Sequence, residues 1–193
     1  MAMRPKVGIA MTGSFCTFRK VLEVLKDLKG YELVPIMSEA SYYYDTRFGE
    51  GRRFVEELEK ICGKPVLSTL QQVEPLGPRG LLDALVILPC TGNTLGKLAN
   101  GIADSPVTFA AKAHLRNGRP VILGISTNDG LSGSGENIGK LLARRHFYFI
   151  PFGQDSPLEK PYSLVAHMEL LPQTLEKALE GVQIQPILAG YSE

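Results

Sequence analysis

Hydrophobic residues fall in two alternating patterns along this chain. Short unbroken apolar runs occupy Lys6 to Met11, Leu33 to Met37, Ala84 to Leu88, Val121 to Ile125 and Phe147 to Ile150. None alternates apolar with polar, as expected for parallel strands covered on both faces. Between the runs, apolar residues recur at helical spacing. Phe18, Val21, Leu22, Leu25 and Leu28 form one such stripe, ended by Gly30; Phe54, Val55, Leu58, Ile61 and Cys62 form another. Leu95, Leu98, Ala99 and Ile102 predict a third helix, Pro106 opens a fourth through Ala113, and Ile138 to Arg145 and Leu170 to Leu179 complete the set.

The intervening stretches carry turn chemistry. Residues 39–49, with the segment SYYYDTRFG, read as a loop beside a strand end. Lys64 to Leu82 contains Pro65, Pro75 and Pro78, which fits a short strand at 65–67 followed by an irregular connection. Gly130 to Gly135, GLSGSG, reads as a mobile lid. Strands alternating with helices predict an α/β fold: a single Rossmann-like, doubly wound parallel sheet in a three-layer α/β/α arrangement, with ligands held at the carboxyl ends of the strands.

Size and charge narrow the function classes. The 193 residues, 44% of them hydrophobic, suit one domain spanning 1–193. A formal net charge of +1 gives no general field for nucleic acid or an anionic membrane, so any anion site must be built locally. Cys16, Cys62 and Cys90 show no metal-ligand spacing, which predicts reduced thiols and no metal. Without a signal-type apolar segment or a membrane-length run, the expected location is the cytoplasm.

Three strand ends offer the same chemistry. Thr12-Gly13-Ser14, Thr91-Gly92-Asn93-Thr94 and Ser126-Thr127-Asn128 each place small residues, hydroxyls or amides where a strand turns into a helix, and Ser38 is a fourth such position. Glycine lets a phosphate approach the backbone, and the following helix points its positive end at the anion. Any one turn alone is better explained by helix capping; their convergence favours a mononucleotide. Neither GxGxxG nor a Walker sequence occurs.

Other candidates are individually ambiguous. His114, His146 and His167 are acid–base groups by type and structural by position. Cys90 stands at the end of the central strand, as a packed small residue or a nucleophile. The loop Asp45 to Arg53 sets Arg47, Arg52 and Arg53 among carboxylates and glycines; Arg47 is the first candidate to clamp a dicarboxylate, a solvated charged loop being the alternative.

At these residues a family resemblance enters. PCTGNTLGKLANGIADSPV resembles the PASANTIAKIANGIAD signature of the flavin-containing cysteine decarboxylase superfamily, a homo-oligomeric, flavodoxin-like group that binds FMN. TGSFCT, DTRFGEG, EPLGP, AAKAHLRNGRPVILGISTND, FIPFGQDSPLEKP and VAHMELL resemble, within it, the family of dipicolinate synthase B subunits, over essentially the whole chain. The resemblance implies FMN contacts from Gly13, Ser14, Phe15, Ser38, Thr91, Gly92, Asn93, Thr94, Ser126 and Asn128, the last matching the asparagine of a PxMN motif. Asn128, Arg47 and Cys90 are the expected catalytic positions. Two features depart from the decarboxylases: no histidine precedes His114, and PxMN has become Ser126-Thr127-Asn128-Asp129.

The function this implies is an aromatising oxidation of a dihydrodipicolinate-type precursor to dipicolinate, for spore formation in the mother cell. It would run with a separate A subunit of dipicolinate synthase carrying NAD(P), the chain itself forming a trimer or dodecamer. A non-catalytic cofactor-holding or scaffolding partner of that A subunit, and an independent FMN-dependent decarboxylase or prenyltransferase-like enzyme, remain the alternatives.

Overall fold

The computed structural model describes residues 4–190; the outermost three residues of the 1–193 range at each end lie outside the described residues. Five parallel strands form the frame: β1 (Lys6–Met11), β2 (Glu32–Met37), β3 (Ala84–Cys90), β4 (Val121–Thr127) and β5 (Phe147–Phe149), in the order β2-β1-β3-β4-β5. Every residue of β3 is buried, and β1 and β4 are exposed only at one end, which is why their sequences run apolar without alternation.

All the helices but α2 and α4 follow the helical stripes: α1 (Phe18–Leu25), α2 (Glu39–Tyr43), α3 (Gly51–Cys62), α4 (Leu70–Val73), α5 (Gly92–Ala99), α6 (Pro106–Leu115), α7 (Gly135–Leu142) and α8 (Leu171–Leu179). Helices α1 and α3 pack together on one face, which α8 also covers, while α4 to α7 pack on the other. Going from β1 the chain winds outward to β2 over one face; from β3 it winds the opposite way to β4 over the other. That reversal leaves a crevice between the carboxyl ends of β1 and β3, the place where doubly wound sheets hold ligands.

The sheet is mixed rather than wholly parallel, and β5 is not the last strand. Chain 150–166 turns back as a hairpin, β6 (Phe152–Gly153) and β7 (Leu164–Ala166), with β7 antiparallel to the end of β4. β4 therefore pairs with β5 through Val121 to Leu123, then with β7 through Ser126 and Thr127. Strands of two and three residues carry too little periodicity to be seen in a sequence.

Two further expectations change. Residues 39–43 form a helix, capped by Ser38 Oγ accepting from the Ser41 amide at 3.4 Å. The 65–67 strand reduces to one bridge between Ile36 and Leu67, and Thr69 and Gln72 then close a capping box on α4.

His114 is a structural histidine. It is buried in α6, and its Nε2–H donates to the Pro120 carbonyl at 3.0 Å. Burial pushes its pKa down to about 4. The unfolded ring takes up its proton near pH ~6.5, so between the two values the unfolded chain binds more protons than the folded one. Stability from this site is complete above that range and declines as pH falls toward 4, by at most about 3 kcal/mol. A His114→Gln variant, which keeps a donor and does not titrate, is expected to lose less stability than the wild type between pH 7 and about 4.5, read from urea midpoints. Equal losses would contradict the assignment.

Candidate functional site

Thr12, just past β1, fastens the two central strand ends together. Its hydroxyl donates to the Pro89 carbonyl at 2.7 Å and accepts from the Thr91 amide at 3.1 Å. The turn from Gly13 to Phe15 is thereby held beside the start of α5. Ser14 reaches across to the end of β4, its Oγ lying 2.8 Å from Ser126 Oγ. Three strand ends separated widely in sequence are thus joined by four hydroxyl-bearing residues.

Between them lies a cleft of about 750 Å³. Gly13, Ser14 and Phe15 form one wall, Thr91, Gly92 and Asn93 the next, and Ser126, Thr127 and Asn128 the third. Phe15 is fixed by its ring contact with the buried Phe18 at 5.1 Å between centroids, and Phe18 meets Phe54 edge-on at the same distance. Thr91 Oγ1 caps α5 by accepting from the Thr94 amide at 3.3 Å, which leaves the helix opening at the cleft. Gly92 is needed by the crowding around it. A Cβ there would stand 2.6 Å from Ser134 Oγ, 2.7 Å from Thr127 Oγ1 and 2.8 Å from Asp129 Oδ1.

The cleft does not gather every expected residue. Ser38 and Thr94 are absent from its walls; Ser38 caps α2, and Thr94 is hydrogen-bonded with Thr91 Oγ1. Cys90 is fully buried in β3 and absent from the cleft's walls, and burial pushes its thiol well above the ordinary range, which favours the packed small residue over the nucleophile.

Arg47 belongs to a second, separate cleft of about 570 Å³ between α1, α3 and the 45–50 loop. Its guanidinium lies over the Phe48 ring at 4.9 Å, and Phe48 forms the wall shared by the two clefts. The rest of that charged loop is spent on local structure. Asp45 accepts from the Gly51 amide at the start of α3, and Arg52 and Arg53 pair with Glu56 and Glu50.

The 129–134 loop is pinned rather than free. Ser132 and Ser134 amides donate to the Asp129 carbonyl, and the Leu131 amide donates to the Tyr162 carbonyl. Gly130 packs so closely on Leu164 of β7 that a Cβ would stand 2.7 Å from its side chain. This loop is a wall, not a lid.

Sequence reasoning missed the fourth side of the cleft. Asp129, Asp155, Lys160, Ser163 and Val165 line it, and all but Asp129 come from β7 or the β6–β7 connection. Asp129 accepts a hydrogen bond from the Thr127 hydroxyl and forms no ion pair among the described residues. Asp155 pairs with Lys160 at 3.3 Å. Its partial burial favours the neutral acid, but contacts with Ser163 and Lys160 outweigh this and hold the carboxyl below its usual value. No histidine lines the cleft: His167 faces Glu169 at 3.3 Å, and His146 is exposed in a left-handed turn before β5.

Chemically, the cleft combines small residues, hydroxyls and a helix opening on one side with an aromatic wall and a mixed-charge wall on the other. That donor set fits the phosphate of a mononucleotide carrying a flat aromatic group. Among the described residues there is no cluster suited to a metal ion and no helix long and apolar enough to cross a membrane.

Comparison with known proteins agrees with this description. A family profile described as Flavoprotein matches residues 1–129. The B subunit of dipicolinate synthase from Bacillus subtilis (strain 168) is 48% identical over 185 residues, covering 95% of this chain and 92% of that protein. The crystal structure of the corresponding B subunit of dipicolinate synthase from Bacillus halodurans C superposes with a TM-score of 0.89 at 46% identity, covering 97% of each chain. Burkholderia xenovorans DmrB in complex with FMN shares the fold, with a TM-score of 0.68 at 18% identity over 93% of this chain and 98% of the other.

Proposed function

Because the chain belongs to the Flavoprotein family, and is matched over nearly its whole length by relatives named as the B subunit of dipicolinate synthase, we propose that it binds FMN in the strand-end cleft and works in dipicolinate formation. The observation that carries this reading is the convergence of Gly13, Ser14, Phe15, Thr91, Gly92, Asn93, Ser126 and Asn128 on one cleft at the sheet's reversal point.

In this reading the turn at Gly13 and Ser14 and the amides opening α5 hold the phosphate, with helix polarity assisting. Phe15 supplies an apolar wall, and Asn128 offers an amide to the polar edge of the cofactor or substrate. Bound flavin supplies a two-electron acceptor for an aromatising oxidation of a dihydrodipicolinate-type precursor. Aromatisation also releases a proton. Asp129, oriented by Thr127 and in no ion pair among the described residues, is placed to take it. Arg47 and Cys90 do not line the cleft, so this reading gives neither a part in the chemistry.

The A subunit of dipicolinate synthase, as an NAD(P)-binding partner, and assembly of this chain into a homo-oligomer of FMN-binding units belong to the same proposal. So does its reach over 1–193 as a single domain in the mother cell of a spore-forming bacterium. A second reading, in which this chain holds cofactor for the A subunit without doing chemistry, draws support from the lack of a histidine in the cleft.

Assays of the isolated A subunit, of this chain alone and of both together separate the two readings. Dipicolinate is expected only, or far faster, from the mixture, and that activity is expected to need Asp129. Full activity from the isolated A subunit would remove the catalytic role.

A further inference from the structure

We infer that Lys160, on the β6–β7 connection, is the residue that binds a carboxylate of the substrate. The inference rests on the reading of this cleft as the site of dipicolinate chemistry. Lys160 is the one cation among the residues lining the cleft, in the role that the sequence alone suggests for Arg47.

Its position follows from the sheet. The β4–β7 register sets Ser126 opposite Val165 and Thr127 opposite Leu164, which brings Ser163 level with Asn128 just beyond the paired residues. Lys160 stands three residues before Ser163 and is tied to it, the Ser163 amide donating to the Lys160 carbonyl at 3.0 Å. The Lys160 amide donates to the Ser156 carbonyl at 2.7 Å, and Gln154 Nε2 donates to the Pro161 carbonyl at 2.9 Å. The 129–134 loop is fastened to the same connection through Leu131 and Tyr162. The ammonium is therefore carried on a connection with its own hydrogen bonds, on the β4–β7 side of the cleft.

Its present partner is exchangeable. The Lys160–Asp155 pair is open to solvent, Lys160 being 59% exposed, and ion pairs of that kind hold weakly. A ligand carboxylate entering between Asn128 and Ser163 would take over the ammonium and gain a charge-assisted hydrogen bond. Asp155 competes for the same ammonium, so the two side chains have opposite effects on an anionic ligand.

The test is calorimetric titration of pyridine-2,6-dicarboxylate, with FMN titrated separately by fluorescence quenching, into the wild type, Lys160→Gln and Asp155→Asn. Lys160→Gln is expected to weaken dicarboxylate binding by about 10-fold or more and leave FMN binding within about twofold, while Asp155→Asn tightens dicarboxylate binding. Lys160→Arg, which keeps the charge, should restore most of the affinity.

Unchanged dicarboxylate binding in Lys160→Gln, or no dicarboxylate binding by the wild type, overturns the inference. So does a loss confined to FMN, which would assign Lys160 to the cofactor phosphate. Should the wild type bind dicarboxylate through Lys160 but take up no FMN, the inference stands and the flavin reading falls.

Discussion

A Gly92→Val variant is expected to fold and yet lose about 100-fold or more in FMN affinity. The first helical residue of α5 is wedged against Ser134, Thr127 and Asp129, so that a Cβ would stand only 2.6–2.8 Å from their oxygens. Valine must push back either the helix opening or the 127–134 wall, and both face the cleft. Overpacking of this kind costs about 1–3 kcal/mol, which for a chain of this size lowers the melting temperature by roughly 2–12 °C without abolishing the fold. The measurement is FMN affinity by fluorescence quenching, with circular dichroism and a thermal melt as controls. A folded variant that binds FMN as the wild type does would place the cofactor elsewhere.

The second large effect concerns chemistry. Asp129→Asn keeps the shape of the side chain and can still bond to Thr127, but it cannot accept a proton as a carboxylate does. Removal of a general base typically costs about 100-fold or more in rate. Mixed with the A subunit, the variant is expected to show that loss in kcat at saturating substrate while retaining the wild-type content of FMN. An unchanged kcat would leave Asp129 as a structural residue that holds the 129–134 loop, and would favour the cofactor-holding reading of this chain.

Most of the frame was legible because its strands are buried on both faces. Val7 to Met11, Ala84 to Leu88 and Val121 to Ile125 have no polar face to show, so their continuous apolar runs mark them directly. The three polar strand ends could likewise be read as convergent, since parallel strands in one sheet deliver their carboxyl ends to one edge.

What remained hidden depends on direction and on contacts made across the chain. Cys90 follows the apolar run of β3 by position, but whether its side chain looks into the cleft or the core depends on the irregular register between β3 and β4. Arg47 stands out by its charge, and charge does not reveal that Phe48 separates it from the strand ends. Ser38 and Thr94 bear the right hydroxyls, which the neighbouring helix starts consume. Thr12 groups with the turn in the sequence, although its part is to join β1 to β3. The β6–β7 hairpin was missed entirely, and with it Asp155, Lys160 and Ser163. Lys160 had one signal in the sequence, its place in FGQDSPLEKP, but nothing local points that segment toward Asn128.

The cleft at the ends of β1, β3 and β4 as the seat of FMN is the claim on which the other roles depend. Its most direct measurement is the stoichiometry of FMN retained through gel filtration by the purified protein after saturation with the cofactor, in wild type and Gly92→Val side by side. One FMN per chain in the wild type and little or none in a folded Gly92→Val variant is the predicted result. A wild type that emerges colourless, or a variant that keeps its full FMN content, would contradict it.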